Sequence, residues 1–571
     1  MHFVSSFDHR KYRPSPVLPK PDRRWPDRQL TAAPRWCSVD LRDGNQALIE
    51  PMNPSQKLEM FRLLVDVGFR EIEVGFPAAS QPDFDFVRHL IEDELIPDDV
   101  TIQVLTQARQ PIIERTFEAL RGAPRAVVHL YNSTSTVQRE RVFGLSRDQI
   151  KALAVRGAEC IKAEAARAPG TDWRFEYSPE SFTGTELDYA VEVCDAVIEV
   201  WQPTPDKPAI INLPATVEVS TPNVYADQIE WVCDHIARRD SILISLHTHN
   251  DRGCGVAAAE LAVLAGADRV EGTLLGNGER TGNMDVVTMA MNLYSQGIDP
   301  QLDLANMDRI IHTVERCTQI RLHPRHPYAG ELVFAAFSGS HQDAINKCLA
   351  QHNAGEIWDV AYLPIDPRDV GRDYQQVIRI NSQSGKGGVA YVVEQHHGVK
   401  LPRWLQVDFS PYVQAQAERS ATEVQGSVIA SLFDRTYLTV PGAITLGDSH
   451  VERIDDDDRV VAALDCDGQG FEIDRRARGV LEAFARGLAA RLELDIVVVN
   501  EHRQPVFGGR DGETFVCVQI SVDGHRHCGA AKGHDAALAS FQAVLNALAH
   551  ADYPREIPTG ATRSTASAPV S

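Results

Sequence analysis

The chain has 571 residues, an apolar fraction of 43%, a charged fraction of 24% and a formal net charge of −22. That length exceeds what one hydrophobic core supports, so two to four domains are expected, and the composition is that of a soluble globular protein rather than a disordered one. The acidic balance argues against nucleic acid or an anionic membrane as the main partner, since both need a broad basic face, but it leaves room for a local basic pocket.

Ten cysteines lie scattered with no CxxC pair, which reads as reduced thiols in a cytoplasmic protein. No apolar run reaches the ~18 residues of a membrane-spanning helix. The start carries Asp8, His9 and a Pro-rich stretch over 11–34, and it lacks the apolar core of a signal peptide. Residues 1–34 are therefore read as an N-terminal arm.

From residue 35 a strand-then-helix rhythm begins. Apolar β-like runs fall at 36–41, 71–75, 100–105, 126–131, 173–177, 209–213, 242–246 and 269–273. Amphipathic segments lie between them at 55–66, 82–94, 109–121, 146–165, 186–200, 223–238 and 254–265, and 285–296 closes the series. Eight alternating units in about 260 residues predict an α/β fold of the (β/α)8 TIM-barrel type over 35–300. A doubly wound open sheet is the alternative, but no GxGxxG follows the first strand.

The reactive residues fall at the carboxyl ends of these strands, which in a barrel converge on one face. Arg42 and Asp43 follow strand 1, His129 sits in strand 4, Glu176 ends strand 5 and Thr216 follows strand 6. His247-Thr248-His249 ends strand 7, and a glycine-rich loop with Glu279 and Asn283 follows strand 8. In an extended strand residues i and i+2 point the same way, so His247 and His249 are placed to hold one ion, with Asp43 adding a hard oxygen. Mixed oxygen and nitrogen ligation leaves the divalent ion open among Mg, Mn and Zn. An HxH pair also serves metal-dependent hydrolases, but those use further His and Asp ligands at later strand ends, where this chain has Gly-Asn-Gly-Glu-Arg.

Past residue 300 the rhythm stops, and 301–430 reads as linker subdomains. Residues 301–370 look mainly helical; 377–381 is β-like and 384–388 a Gly-rich turn. Residues 431–553 resemble a small α+β ligand-binding unit, with β-like runs at 436–440, 460–464, 494–499 and 515–522 and helices near 475–490 and 533–549. The acidic run Asp455 to Asp458 reads as a solvated turn, and 554–571, rich in Pro, Ser, Thr and Ala, as a disordered tail.

The series Leu41-Arg42-Asp43-Gly44-Asn45-Gln46, His247-Thr248-His249-Asn250-Asp251 and Gly276–Asn283, with FSGSHQDAINK and YLPIDPRDVGR downstream, resembles the longer subfamily of 2-isopropylmalate synthases, within the metal-dependent Claisen-condensing barrel enzymes. The resemblance is dense over about 10–430 and loose beyond. It implies an acyltransferase joining acetyl-CoA to 3-methyl-2-oxobutanoate with release of CoA, in the first committed step of leucine biosynthesis. It further implies a homodimer, a C-terminal leucine-regulatory domain over 431–553, a divalent metal with Mg foremost, and room for monovalent K. Sister synthases making citramalate or homocitrate, a metal-dependent lyase and a non-catalytic metabolite sensor remain as alternatives.

By the same resemblance Asn283 is a fourth metal contact. Arg42 would stabilise the oxygen that becomes an alkoxide, with an ion pair to a neighbouring carboxylate as the plain alternative. Thr216 would donate to the substrate carboxylate, or is an ordinary turn threonine. His129 and Glu176 would line the pocket, and Glu279 would orient Arg42 or a water. His341, outside the barrel, would pair with Glu176 to move a proton, in cis or from a partner subunit, or is a surface histidine. Tyr362 matches a position tied to inhibitor response in the family, or is a packed core aromatic. In Arg526–His534 the sequence departs from the family's more apolar loop: small residues would let backbone amides approach a bound amino acid, while Lys532 and His534 bring leucine recognition into question.

Overall fold

A computed structural model of the chain describes residues 11–12, 18–372, 386–420, 424–506 and 512–551. The chain divides into two compact units, one of described residues up to Val333 with Ile365–Arg372, the other of Phe334–Pro364 with the described residues from 386 onward.

In the first unit eight strands close into a parallel barrel in sequence order: β1 Arg35–Ser38, β2 Glu71–Gly75, β3 Thr101–Gln107, β4 Arg125–Ser133, β5 Asp172–Glu180, β6 Ala209–Ala215, β7 Ile242–Thr248 and β8 Arg269–Gly272. Pairing of β1 with β8, from Arg35↔Arg269 to Ser38↔Gly272, closes the ring. Burial on both faces explains why these runs read as nearly continuous apolar stretches rather than alternating ones.

The surrounding helices are α1 Pro54–Val67, α2 Gln81–Glu92, α3 Gln110–Ala119, α4 Arg147–Arg167, α5 Leu187–Trp201, α6 Pro222–His235, α7 Gly255–Leu264 and α8 Val286–Tyr294. Capping boxes start α1, through Asn53 and Gln56, and α4, through Ser146 and Gln149. Each pairs two backbone N–H groups that the helix itself leaves unbonded. The N-terminal arm is strapped to α6: Arg23 binds both oxygens of Asp227 at 2.7 Å and Trp25 Nε1 donates to the same carboxylate at 2.9 Å. A ninth helix, α9 Met307–Thr318, belongs to this unit, so the unit runs past residue 300.

Several strand ends differ from the sequence expectation, and two of them bear most on the site. Strand β1 stops at Ser38, and Arg42 and Asp43 ride on a wide turn over Asp40–Gly44. The Asp40 carboxylate accepts the Leu274 N–H at 3.1 Å, which ties this turn to the loop after β8. Strand β5 continues to Glu180, three residues beyond the expected end, so Glu176 is mid-strand. Pro179 argues against a strand there. It is accommodated because at that height β5 pairs only with β4.

In the second unit α10 Gly339–Leu349 precedes α11 Lys386–His397, α12 Arg403–Ser420 and α13 Gly426–Phe433. The mainly helical reading of 301–370 is thus only partly met, since much of 319–338 and 350–366 is irregular. The β-like stretch at 377–381 and the tail at 554–571 lie outside the described residues, and Lys386–Gly388 of the expected turn already belongs to α11.

Two βββα repeats follow. The first comprises β9 Ile444–Ile454, β10 Asp457–Cys466, β11 Gln469–Ala477 and α14 Val480–Leu492; the second, β12 Ile496–Pro505, β13 Thr514–Val522, β14 His525–Gly533 and α15 Ala536–Leu548. Each set of strands is an antiparallel three-stranded sheet, and the repeats share one core in which Phe484 of α14 stacks on Phe541 of α15 at 4.2 Å. Helices α11–α13 pack on the other face of the second sheet, where Phe409 and Phe433 meet Phe515, Cys517 and Cys528. The expected strand at 436–440 is instead a turn over Asp434–Leu438 that buries Thr436 and Tyr437.

The segment Arg526–His534, read as a loop, is nearly all strand β14. A Cβ on Gly529 would lie 2.3 Å from both Ala543 O and Ala547 N of α15. The small residues there serve close strand–helix packing. Lys532 Nζ donates to the His397 carbonyl at the end of α11, at 3.2 Å.

Candidate active site

The carboxyl ends of the barrel strands enclose a cavity of about 360 Å³. Asp43, His247 and His249 stand together in it, all buried, with ligand atoms within 4.8 Å of one another. Asp43 Oδ2 lies 3.3 Å from His249 Nε2 and 3.6 Å from His247 Nε2. Both rings are oriented from behind. His247 Nδ1 donates to Glu271 at 2.8 Å and His249 Nδ1 to the Thr216 carbonyl at 2.7 Å, which leaves each Nε2 facing Asp43, as metal-ligating histidines require.

Burial alone would raise the Asp43 carboxyl and lower the His247 imidazole. Arg42 and the two histidines outweigh burial at Asp43, which is held well below the usual carboxylate range. Asp43 and Glu271 outweigh it at His247, which is pushed up to about 9. Asn283 is buried beside them: its Nδ2 donates to the Asn277 carbonyl, while its Oδ1 has no partner among the described residues. A buried oxygen without a donor needs an explanation, and a cation held by Asp43, His247 and His249 supplies one. The donor set therefore fits a divalent metal.

Arg42 is fixed by carboxylates on two sides, with Nε on Glu73 and Nη1 on Asp43. The residue that orients it is Glu73 of β2, not Glu279, which lines the cavity half-buried. Glu73 also accepts His129 Nδ1 at 2.8 Å, and Arg42 and His129 hold its carboxyl below the usual range against the burial that would raise it. His129 Nε2 meets Ser178 Oγ at 2.7 Å. Thr216 Oγ1 accepts the Ser181 N–H at 2.9 Å, so its own proton is left to give.

Glu176 does not line the cavity. Residues 176, 178 and 180 of β5 point to the same side of the strand. Ser178 and Glu180 reach the cavity wall, while Glu176 lies below it, fully enclosed. Glu176 is thus an enclosed carboxyl of the barrel interior rather than a pocket residue. His341 lies on α10 in the second unit, its ring stacked on Tyr362 at 4.0 Å. Tyr362 is 60% exposed, so it is not a packed core aromatic.

The HMGL-like family matches residues 33–314, and the post-catalytic domain-like family of alpha-isopropylmalate synthase matches 331–394. A 2-isopropylmalate synthase of Alcanivorax borkumensis is 54% identical over 95% of this chain and 97% of its own length. Those of Parafrankia sp. and Rhodospirillum rubrum are 54% and 53% identical, over 94% and 95% of this chain and 96% and 98% of theirs. The chain belongs to the 2-isopropylmalate synthase family. Among solved structures, the HMG-CoA lyase from Brucella melitensis is 19% identical and covers 51% of this chain and 100% of its own, with a TM-score of 0.41.

Around this synthase site the structure adds residues that sequence reasoning missed. Glu73 and Glu271 hold Arg42 and His247. Gln46, Ser178 and Glu180 are polar wall residues, and Phe76, Leu105 and Pro214 supply an apolar wall. One signal was present in the sequence: Ser178 and Glu180 share the parity of Glu176.

Proposed function

We propose that the barrel mouth condenses the acetyl group of acetyl-CoA with 3-methyl-2-oxobutanoate and water to give 2-isopropylmalate and CoA, the reaction that names the family. One observation carries the reading: the Asp43, His247 and His249 triad faces a cavity that also holds Arg42 and an apolar wall. A divalent ion on this set, Mg foremost, with Mn or Zn also compatible, supplies Lewis-acid polarisation of the 2-oxo acid.

The chain's own side chains do the rest. With Arg42 Nε and Nη1 engaged by Glu73 and Asp43, Nη2 is the donor for the ketone oxygen as negative charge develops on it. The Thr216 hydroxyl donates to the substrate carboxylate. Phe76, Leu105 and Pro214 seat the branched chain and exclude water from it. Glu180, on the cavity wall, takes the place assigned to Glu176 as the carboxylate that moves a proton of the acetyl methyl or of the hydrolytic water. His341 is carried as the second proton-moving group on the strength of the family resemblance.

Leucine as effector of the βββα pair and a homodimer belong to the same reading and rest on that resemblance. A cytoplasmic location is supported by ten scattered cysteines with no CxxC pair, and no helix among the described residues is long and apolar enough to cross a membrane.

Calorimetric titration with Mn²⁺ tests the site. His249→Ala is expected to weaken binding by about 100-fold or more and to remove acetyl-CoA-dependent thiol release. A variant that binds Mn²⁺ as tightly as the parent would refute the assignment.

A further inference from the structure

Beneath the cavity the barrel interior holds a charged layer where branched apolar side chains are usual. Five carboxyl side chains are buried in or beside it: Asp43, Glu71, Glu73, Glu176 and Glu271. Four have strong donors. Arg42 serves Asp43 and Glu73, while Arg269 donates from Nε to Glu71 at 2.6 Å and from Nη1 to Glu271 at 2.9 Å.

Glu176 has none. Among the described residues neither of its oxygens has a hydrogen-bond donor, and the nearest basic nitrogens, His129 Nε2 and Arg269 Nη1, are each 3.5 Å away. Those nitrogens are already engaged. Both Nη1 hydrogens of Arg269 go to Ser245 and Glu271, and His129 Nε2 meets the Ser178 hydroxyl. An ionised carboxylate without donors in an enclosed interior carries a large desolvation penalty, whereas a neutral acid needs only an acceptor for its one proton. The Glu271 carboxylate faces it: ligand atoms of His129, Glu176 and Glu271 lie within 4.8 Å of one another.

Charge balance leads to the same place. The buried guanidiniums of Arg42 and Arg269 are engaged by Asp43, Glu73, Glu71 and Glu271, and Arg174, 3.8 Å from Glu71, adds a cation only at that edge, so none is left for Glu176. We propose that Glu176 is carried as a neutral acid and acts as a positioning residue, sharing its proton with Glu271 so that Glu271 stays on Nδ1 of His247. Burial and the facing Glu271 push the Glu176 carboxyl well above its ordinary range, with Arg269 opposing. The groups facing it are His129 from β4, Arg269 and Glu271 from β8, and Glu73 from β2. The role, though not the protonation, rests on the metal reading above.

The test compares the full-length, Mn²⁺-loaded protein with its Glu176→Gln variant, because glutamine matches the neutral acid in shape. At neutral pH the infrared difference spectrum should contain the carbonyl band of a protonated carboxyl, lost in the variant, and Mn²⁺ affinity should stay within about threefold of the parent. Glu176→Asp, too short to reach Glu271, should lose about tenfold. Absence of the band, or a Glu176→Gln chain that fails to fold or loses tenfold in affinity, would mean that the carboxylate is ionised and overturn the proposal. Two Mn²⁺ per chain falling to one in the variant would show a second cation site instead. Neither readout uses substrate, so loss of the synthase reading alone would leave the protonation result standing.

Discussion

Glu271 touches no cavity surface, yet it governs the site because it accepts the one hydrogen bond that turns His247 Nε2 toward Asp43. Groups behind a metal-binding histidine commonly control affinity by about 10–100-fold. Glu271→Gln is expected to weaken Mn²⁺ binding by that factor while thiol release recovers at saturating metal, as a titration of activity against Mn²⁺ would report. An unchanged metal requirement would mean that His247 is oriented without it. The same imidazole predicts a pH dependence. Its folded pKa is raised from 6.5 to about 9, so metal binding must displace a proton below that value. Mn²⁺ affinity should therefore rise as pH goes from about 7 toward about 9 and then level off; a flat profile would contradict it. In the metal-free chain the sign reverses. The raised pKa contributes stability that is fully present below 6.5 and is lost as pH rises through about 9.

At the scale of elements, the barrel was legible because strands buried on both faces leave long apolar runs, and their order needed no long-range information. The metal triad was legible for a related reason: parity within His247-Thr248-His249 and position after β1 place the ligands without knowledge of packing. Strand ends were not. Pro179 hides the last turn of β5, and with it the difference between Glu176 in the interior and Glu180 at the wall. The βββα repeat was hidden because β9 and β11 carry many exposed polar residues, so apolar content alone does not mark them. Nor did the glycine of β14 announce its use. Gly529→Val should force β14 and α15 apart, costing roughly 1–3 kcal/mol, and lower the melting temperature of the full chain without altering Mn²⁺ affinity. An unchanged melting temperature would show that the two elements are not packed as described.

Over the whole molecule, the barrel unit contains the metal triad, Arg42, Thr216 and the apolar wall, while His341 and Tyr362 lie in a unit that also carries the βββα pair. The central claim concerns the first unit: its cavity polarises a branched 2-oxo acid for attack by an acetyl thioester. The most direct measurement follows thiol release from acetyl-CoA with 3-methyl-2-oxobutanoate, pyruvate and 2-oxoglutarate, for the Mn²⁺-loaded chain and its Asp43→Ala variant. The account predicts the highest kcat/KM with 3-methyl-2-oxobutanoate and loss of thiol release in the variant. A preference for pyruvate or 2-oxoglutarate, or thiol release that survives in Asp43→Ala, would contradict it.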